Sequence, residues 1–112
     1  MEEIQRQLEQ FSNEHKLWEI TLASGRTSLA NHFIDEPEEC ARLFEAKKAG
    51  DVRFVPWKQQ LMFKRGSESV FIVSTFYTLG IDDHNGNNVV YGYYVLDVDR
   101  KAEPADDSLV FY

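Results

Sequence analysis

The sequence is short of the features that most often announce a function. It holds one cysteine, Cys40, so no disulfide can form within it. A small secreted domain more often relies on a cysteine framework. Basic residues are few: 12 Lys and Arg stand against 19 Asp and Glu, for a net charge of −7. That balance argues against a general phosphate-backbone binder, which needs a basic footprint. The longest strongly apolar stretch, Val70 to Ile81, is broken by Ser74, Thr75 and Thr78 and is too short for a membrane helix. Met1-Glu2-Glu3-Ile4-Gln5-Arg6 lacks the basic start and apolar run of a signal peptide. With Cys40 internal and no Gly after Met1, nothing marks a lipid anchor. The expectation is a reduced, cytoplasmic compartment with no membrane contact. There is no internal repeat, no low-complexity tract and no serine in a G-x-S-x-G context. Gly25 and Gly66 are isolated, so no phosphate-cradling loop exists.

What is present is globular in character. The 112 residues leave room for one α+β domain over 1–112. Hydrophobic residues make up 43% and charged residues 28%, which excludes the disordered and collagenous classes. Aromatics reach 13%, and they concentrate after Phe54.

Residues 1–16 read as a helix, because Ile4, Leu8 and Phe11 stand at i, i+4 and i+7 among Glu, Gln and Arg. Leu17 to Ser24 alternates, with Trp18, Ile20 and Leu22 separated by Glu19 and Thr21, and so predicts a strand. A turn at 24–28 and a second strand over Leu29 to Ile34 follow. The next helix is predicted over 36–49. Asp35 caps it with Glu38 at capping-box spacing, Pro37 sits in its first turn, and Gly50 ends it. Its inward face carries Cys40, Leu43 and Phe44.

The remainder reads as β. Val52 to Val55 is a short strand that Pro56 interrupts. Gln59 to Arg65 and Val70 to Ile81 flank Gly66-Ser67-Glu68-Ser69, and Val89 to Val98 follows the polar run 82–88. Asn85-Gly86 predicts a type I′ hairpin, since both turn positions tolerate positive φ. That register sets Ile81 opposite Val90, Tyr77 opposite Tyr94 and Val73 opposite Val98. The tail over 100–107 is polar, and Leu109 to Tyr112 docks as a last strand or hook. The fold class is therefore α+β, with two helices on a mainly antiparallel, curved sheet in the order α-β-β-α-β-β-β-β.

The same register sorts the side chains onto two faces. Phe71, Val73, Tyr77, Leu79, Ile81, Val90, Tyr94, Leu96 and Val98 form the core face. Val70, Ile72, Phe76, Val89, Tyr91, Tyr93 and Val95 form the other, diluted by Ser74, Thr78, Asp97 and Asp99. A wet antiparallel face is ordinarily more polar than this. Phe76, Tyr91 and Tyr93, with nearby Trp57, are therefore candidate partner-binding residues, since Tyr and Trp supply large rigid contacts. Base stacking on them lacks the interleaved Lys and Arg it needs, so nucleic acid is disfavoured.

Catalytic patterns are weak by comparison. His15, His32 and His84 show no zinc spacing, and no metal or cofactor is expected. Aligned as a calcium loop on Gly86, the first and twelfth ligand positions fall on Ile81 and Gly92, and both fail. Cys40 near a helix N-terminus has a route to a lowered pKa, but its place beside Leu43 and Phe44 favours a buried, inert thiol. His32, Tyr77, Tyr94 and Cys40 are the candidate lining of a small-ligand site or active site between helices and sheet. The leading expectation is a non-enzymatic, acidic protein-binding module of adaptor, chaperone or inhibitor type. It meets a protein partner or a second copy of itself through the aromatic face, and its charge favours a basic partner.

Overall fold

The computed structural model describes residues 2–44, 48–64 and 70–112. Three helices come first: α1 (Glu2–His15), α2 (Leu17–Asp35) and α3 (Pro37–Leu43). A single 3-10 turn at Ala49–Asp51 leads into four strands: β1 (Arg53–Lys64), β2 (Val70–Asp82), β3 (Asn88–Val98) and β4 (Pro104–Phe111). Each strand pairs antiparallel with the next, so the sheet order is β1-β2-β3-β4. The α+β class stands, but the order along the chain is α-α-α-β-β-β-β.

The two strands expected over 17–34 are a single helix. Lys16, in the left-handed region at φ 53°, breaks α1 from α2. Leu17, Thr21, Gly25 and Leu29 are the buried residues of α2. They fall four apart and form one helical stripe against the sheet. The expected turn at 24–28 is the middle of this helix.

The helix expected over 36–49 is shorter. α3 ends at Leu43, with Phe44 as its C-cap, and residues 45–47 lie outside the described residues. Asp35 belongs to α2 rather than capping α3; Glu36 takes the N-cap position without a side-chain hydrogen bond. The inward face is as expected, with Cys40 and Phe44 buried and Leu43 half-buried.

Pro56 does not divide β1. A bulge between Pro56 and Lys58 accommodates it on an edge strand, where sheets tolerate proline. The expected turn at 66–69 lies outside the described residues. Between β2 and β3, Val73 pairs with Val98 and Tyr77 with Tyr94, as expected. Beyond Leu79 the register shifts, so Ile81 faces Val89 rather than Val90, and Val90 is exposed instead of core.

The core lies between the helices and one sheet face. Leu17, Leu29, Cys40, Phe44, Val73, Leu79, Tyr94 and Val98 are essentially inaccessible. α1 is pinned by a polar contact: Gln59 Nε2 donates to Ser12 Oγ at 2.8 Å and to Thr75 Oγ1 at 3.1 Å. No helix among the described residues is long and apolar enough to cross a membrane. The chain is elongated, 46 × 29 × 22 Å with a radius of gyration of 15.8 Å, where a compact chain of this length has roughly 13 Å.

Candidate interaction face

Strand alternation sends one set of side chains into the helices and the next set to the opposite face. The ladder aligns that outer face in rows across all four strands. One row is Val55, Thr78, Tyr93 and Val110; the next is Lys58, Phe76, Val95 and Ser108; the third is Gln60, Ser74, Asp97 and Asp106. Met62 and Ile72 extend it on β1 and β2.

The bulge in β1 decides where Trp57 goes. It is the extra residue between Pro56, paired with Tyr77, and Lys58, paired with Phe76. Its indole lies between the first and second rows, with ring centroids 5.6 Å from Phe76 and 5.8 Å from Tyr93. Phe76 and Tyr93 are themselves 5.9 Å apart. Three of the four expected contact residues are therefore brought into one cluster.

Tyr91 is not part of it. The second bulge pairs Leu79 with Gly92 and Gly80 with Val90, which leaves Tyr91 as the extra residue. Its ring packs 5.9 Å from the buried Phe44 instead. Simple alternation puts Tyr91 on the outer face; the bulge turns it to the helix side. Gly92 fits here because a β-carbon would collide with the Val110 carbonyl.

Two members of the cluster were not anticipated. Tyr112 reaches Tyr93 at 6.3 Å between ring centroids and is 70% exposed. The apolar end 109–112 was visible, and alternation from Val110 gives its face. Lys58 holds its ammonium 4.3 Å from the Trp57 ring centroid and 4.7 Å from that of Phe76. That is a cation–π arrangement, with the aliphatic stem also covering apolar surface. The third row is polar: Ser74 Oγ donates to Asp97 Oδ1 at 2.5 Å. The face thus has an aromatic centre and, on β3 and β4, an acidic border.

The four residues expected to line a site between helices and sheet are core or near-core side chains. The Tyr77 hydroxyl donates to the Trp18 carbonyl at 2.8 Å. The Tyr94 hydroxyl donates to Asp107 Oδ2 at 2.8 Å and lies 2.8 Å from Ser24 Oγ. A phenol has one proton, so Ser24 is the donor in that second bond. Burial raises the pKa of Tyr94, with Asp107 adding to the shift and the Ser24 bond opposing it. Burial also raises Tyr77, helped by Glu19 and opposed by Arg26.

Cys40 is fully buried, and burial with the charges of Glu39 and Glu36 raises its thiol pKa. The lowered value considered for a helix N-terminus is reversed. His32 Nε2 is a buried atom with no hydrogen-bond partner among the described residues, 3.8 Å from Glu39 Oε2, and its ring lies 5.2 Å from Phe111. An open cleft of about 500 Å³ is lined by Arg26, Arg53, Phe54 and Asp82 among others. None of the four candidate lining residues contributes to it, or to two smaller clefts beside Pro104 and Ala49. Among the described residues no three His, Cys, Asp or Glu side chains gather as metal ligands.

Comparison of the chain with protein-family models, with curated proteins and with solved structures finds no match.

Proposed function

We propose that the chain acts as a protein-binding module, of adaptor, chaperone or inhibitor type, and that the outer face of the sheet is its contact surface. The observation that carries this reading is the Trp57–Phe76–Tyr93–Tyr112 cluster on the sheet face opposite the described helices. Aromatic side chains centred in an apolar patch with a polar border match the anatomy of protein interfaces, where Trp and Tyr carry most of the energy. A monomer rarely leaves so continuous an apolar patch in water. The reading is further supported by the inner layer. There the hydroxyls of Tyr77 and Tyr94 are committed to structural hydrogen bonds rather than aimed into a cleft.

The test is affinity capture with the wild-type chain and with Phe76→Lys and Tyr93→Lys baits. Circular dichroism first establishes that the outward substitutions leave the fold intact. Proteins, or copies of this chain, that are retained by the wild type and lost by both variants support the reading. A set unchanged by either substitution overturns it.

A further inference from the structure

We infer that the occupant of the outer face is a second copy of this chain, held face to face about a two-fold axis that runs along the strands between β2 and β3. The inference rests on the reading of that face as a contact surface and names its partner. Three observations carry it.

The first is surface. The chain exposes 7593 Å². A folded monomer of 13.0 kDa is expected to expose roughly 6,300 Å². The excess, roughly 1,300 Å², is shared between the elongated shape and uncovered faces, and it is large enough to include the roughly 800 Å² that one partner contributes to a standard interface.

The second is the size of the face. Four strands at about 4.8 Å spacing and some eight residues at about 3.3 Å give roughly 500 Å² in flat projection. Side-chain relief from Trp57, Phe76, Tyr93 and Tyr112 raises the accessible area towards a standard partner's share.

The third is self-complementarity. The proposed axis lays β2 on the second copy's β3, and β1 on its β4. In the central rows Phe76 then meets Val95 and Thr78 meets Tyr93, each contact occurring twice, as an isologous interface requires. Lys58 meets Ser108 of the second copy, one row from Asp106. The cation at one edge of the face thus approaches the acidic border at the opposite edge. Stacked antiparallel sheets commonly pack with such aligned strands.

The experiment is sedimentation equilibrium of the full chain from about 1 to 100 µM, the range over which moderate interfaces form. It is paired with Trp57 emission in a Trp18→Phe background. The wild type should give twice the 13.0 kDa chain mass at the upper end, with a concentration-dependent blue shift of Trp57. Phe76→Lys should be monomeric with no shift. Lys58→Asp should weaken association roughly threefold or more, and adding Asp106→Lys to it should restore most of the loss. A wild type monomeric throughout, a dimer that survives Phe76→Lys, or a failure of the charge exchange overturns the inference. A monomeric wild type that still loses a captured protein on Phe76→Lys overturns only the second copy as occupant. A monomeric wild type whose capture is unaffected by that substitution overturns the contact surface as well.

Discussion

Gly25 of α2 lies flat against the ring of Tyr94 on β3: a β-carbon at Gly25 would stand 2.8 Å from Tyr94 Cδ2 and 2.9 Å from Phe54 Cε2. The helix comes this close to the sheet only because that position has no side chain. Helix propensity alone favours Gly25→Ala by about 1 kcal/mol. Overpacking a closed core costs about 1–3 kcal/mol, and here both neighbours are ring atoms held by other contacts. Gly25→Ala is therefore expected to lower stability, and Gly25→Val to lower it further. The urea midpoint of each variant checks the sign.

The hydroxyl of Tyr94 ties three elements together, since Ser24 belongs to α2 and Asp107 to β4. Ser28, one turn along α2, also donates to Asp107 Oδ2, at 3.3 Å. Tyr94→Phe keeps the ring and removes the link, leaving Ser24 and Asp107 each short of a partner. The expected cost is about 1–2 kcal/mol. Ser24→Ala should cost less than that in the wild type and close to nothing in the Tyr94→Phe background. A double-mutant cycle from chemical denaturation measures the coupling.

The raised pKa values of Cys40, Tyr77 and Tyr94 give stability a definite direction with pH. Each group holds its proton more tightly in the folded chain than in the unfolded one. The resulting stabilisation is complete below the ordinary values of 9.0 for the thiol and 10.0 for the phenols, and is lost as pH rises through the folded values. Denaturation midpoints should therefore begin to fall above about pH 9 and fall faster above about pH 10. Cys40→Ala should remove the earlier part of that fall. The gap between wild type and Tyr94→Phe should narrow above pH 10, because the unfolded wild-type chain ionises its phenol there while the buried phenol keeps its proton.

The β half of this chain was legible because its hydrophobic alternation and its burial coincide. Val73, Tyr77, Leu79, Tyr94, Leu96 and Val98 read as core and are buried. α2 was illegible for the opposite reason. Two of its four buried positions are Thr21 and Gly25, chosen for closeness to the sheet rather than for hydrophobicity, while Trp18, Ile20 and Leu22 lie on its flanks only half-buried. The apolar residues therefore mimicked a strand. In the candidate site, Phe76 and Tyr93 followed from alternation alone. Tyr91 did not, because the bulge that turns it inward depends on a long-range pairing with Leu79 and Gly80. Lys58 was missed because a lone lysine beside a tryptophan carries no signal until the bulge brings it over two rings.

The two loops that bound β3 are built alike, although their sequences differ. Asp83 donates its N–H to the Asn87 carbonyl at 2.8 Å and accepts from Gly86 N at 3.0 Å; its Oδ1 accepts from Asn85 N at 2.8 Å and Asn87 N at 2.9 Å. Asp99 repeats every bond: to the Glu103 carbonyl at 3.0 Å, from Ala102 N at 2.9 Å, and to Oδ1 from Lys101 N at 2.8 Å and Glu103 N at 3.0 Å. The fourth residue takes positive φ in both, 83° at Gly86 and 61° at Ala102. The two-residue turn expected at Asn85-Gly86 is thus a five-residue loop closed by a carboxylate, and its twin had no glycine to announce it. Each aspartate satisfies two backbone donors that would otherwise compete for water, the same role an N-cap plays. Asp83→Ala and Asp99→Ala should each cost about 1 kcal/mol, while the corresponding Asn substitutions, which keep an acceptor oxygen, should cost about half as much or less. The loops close opposite ends of β3, about 30 Å apart along the strand, and share no partner, so the double alanine variant should show additive loss within about 0.5 kcal/mol. Urea titrations of the five variants against the wild type decide it. A clear departure from additivity would mean that the two ends of β3 are coupled through the sheet.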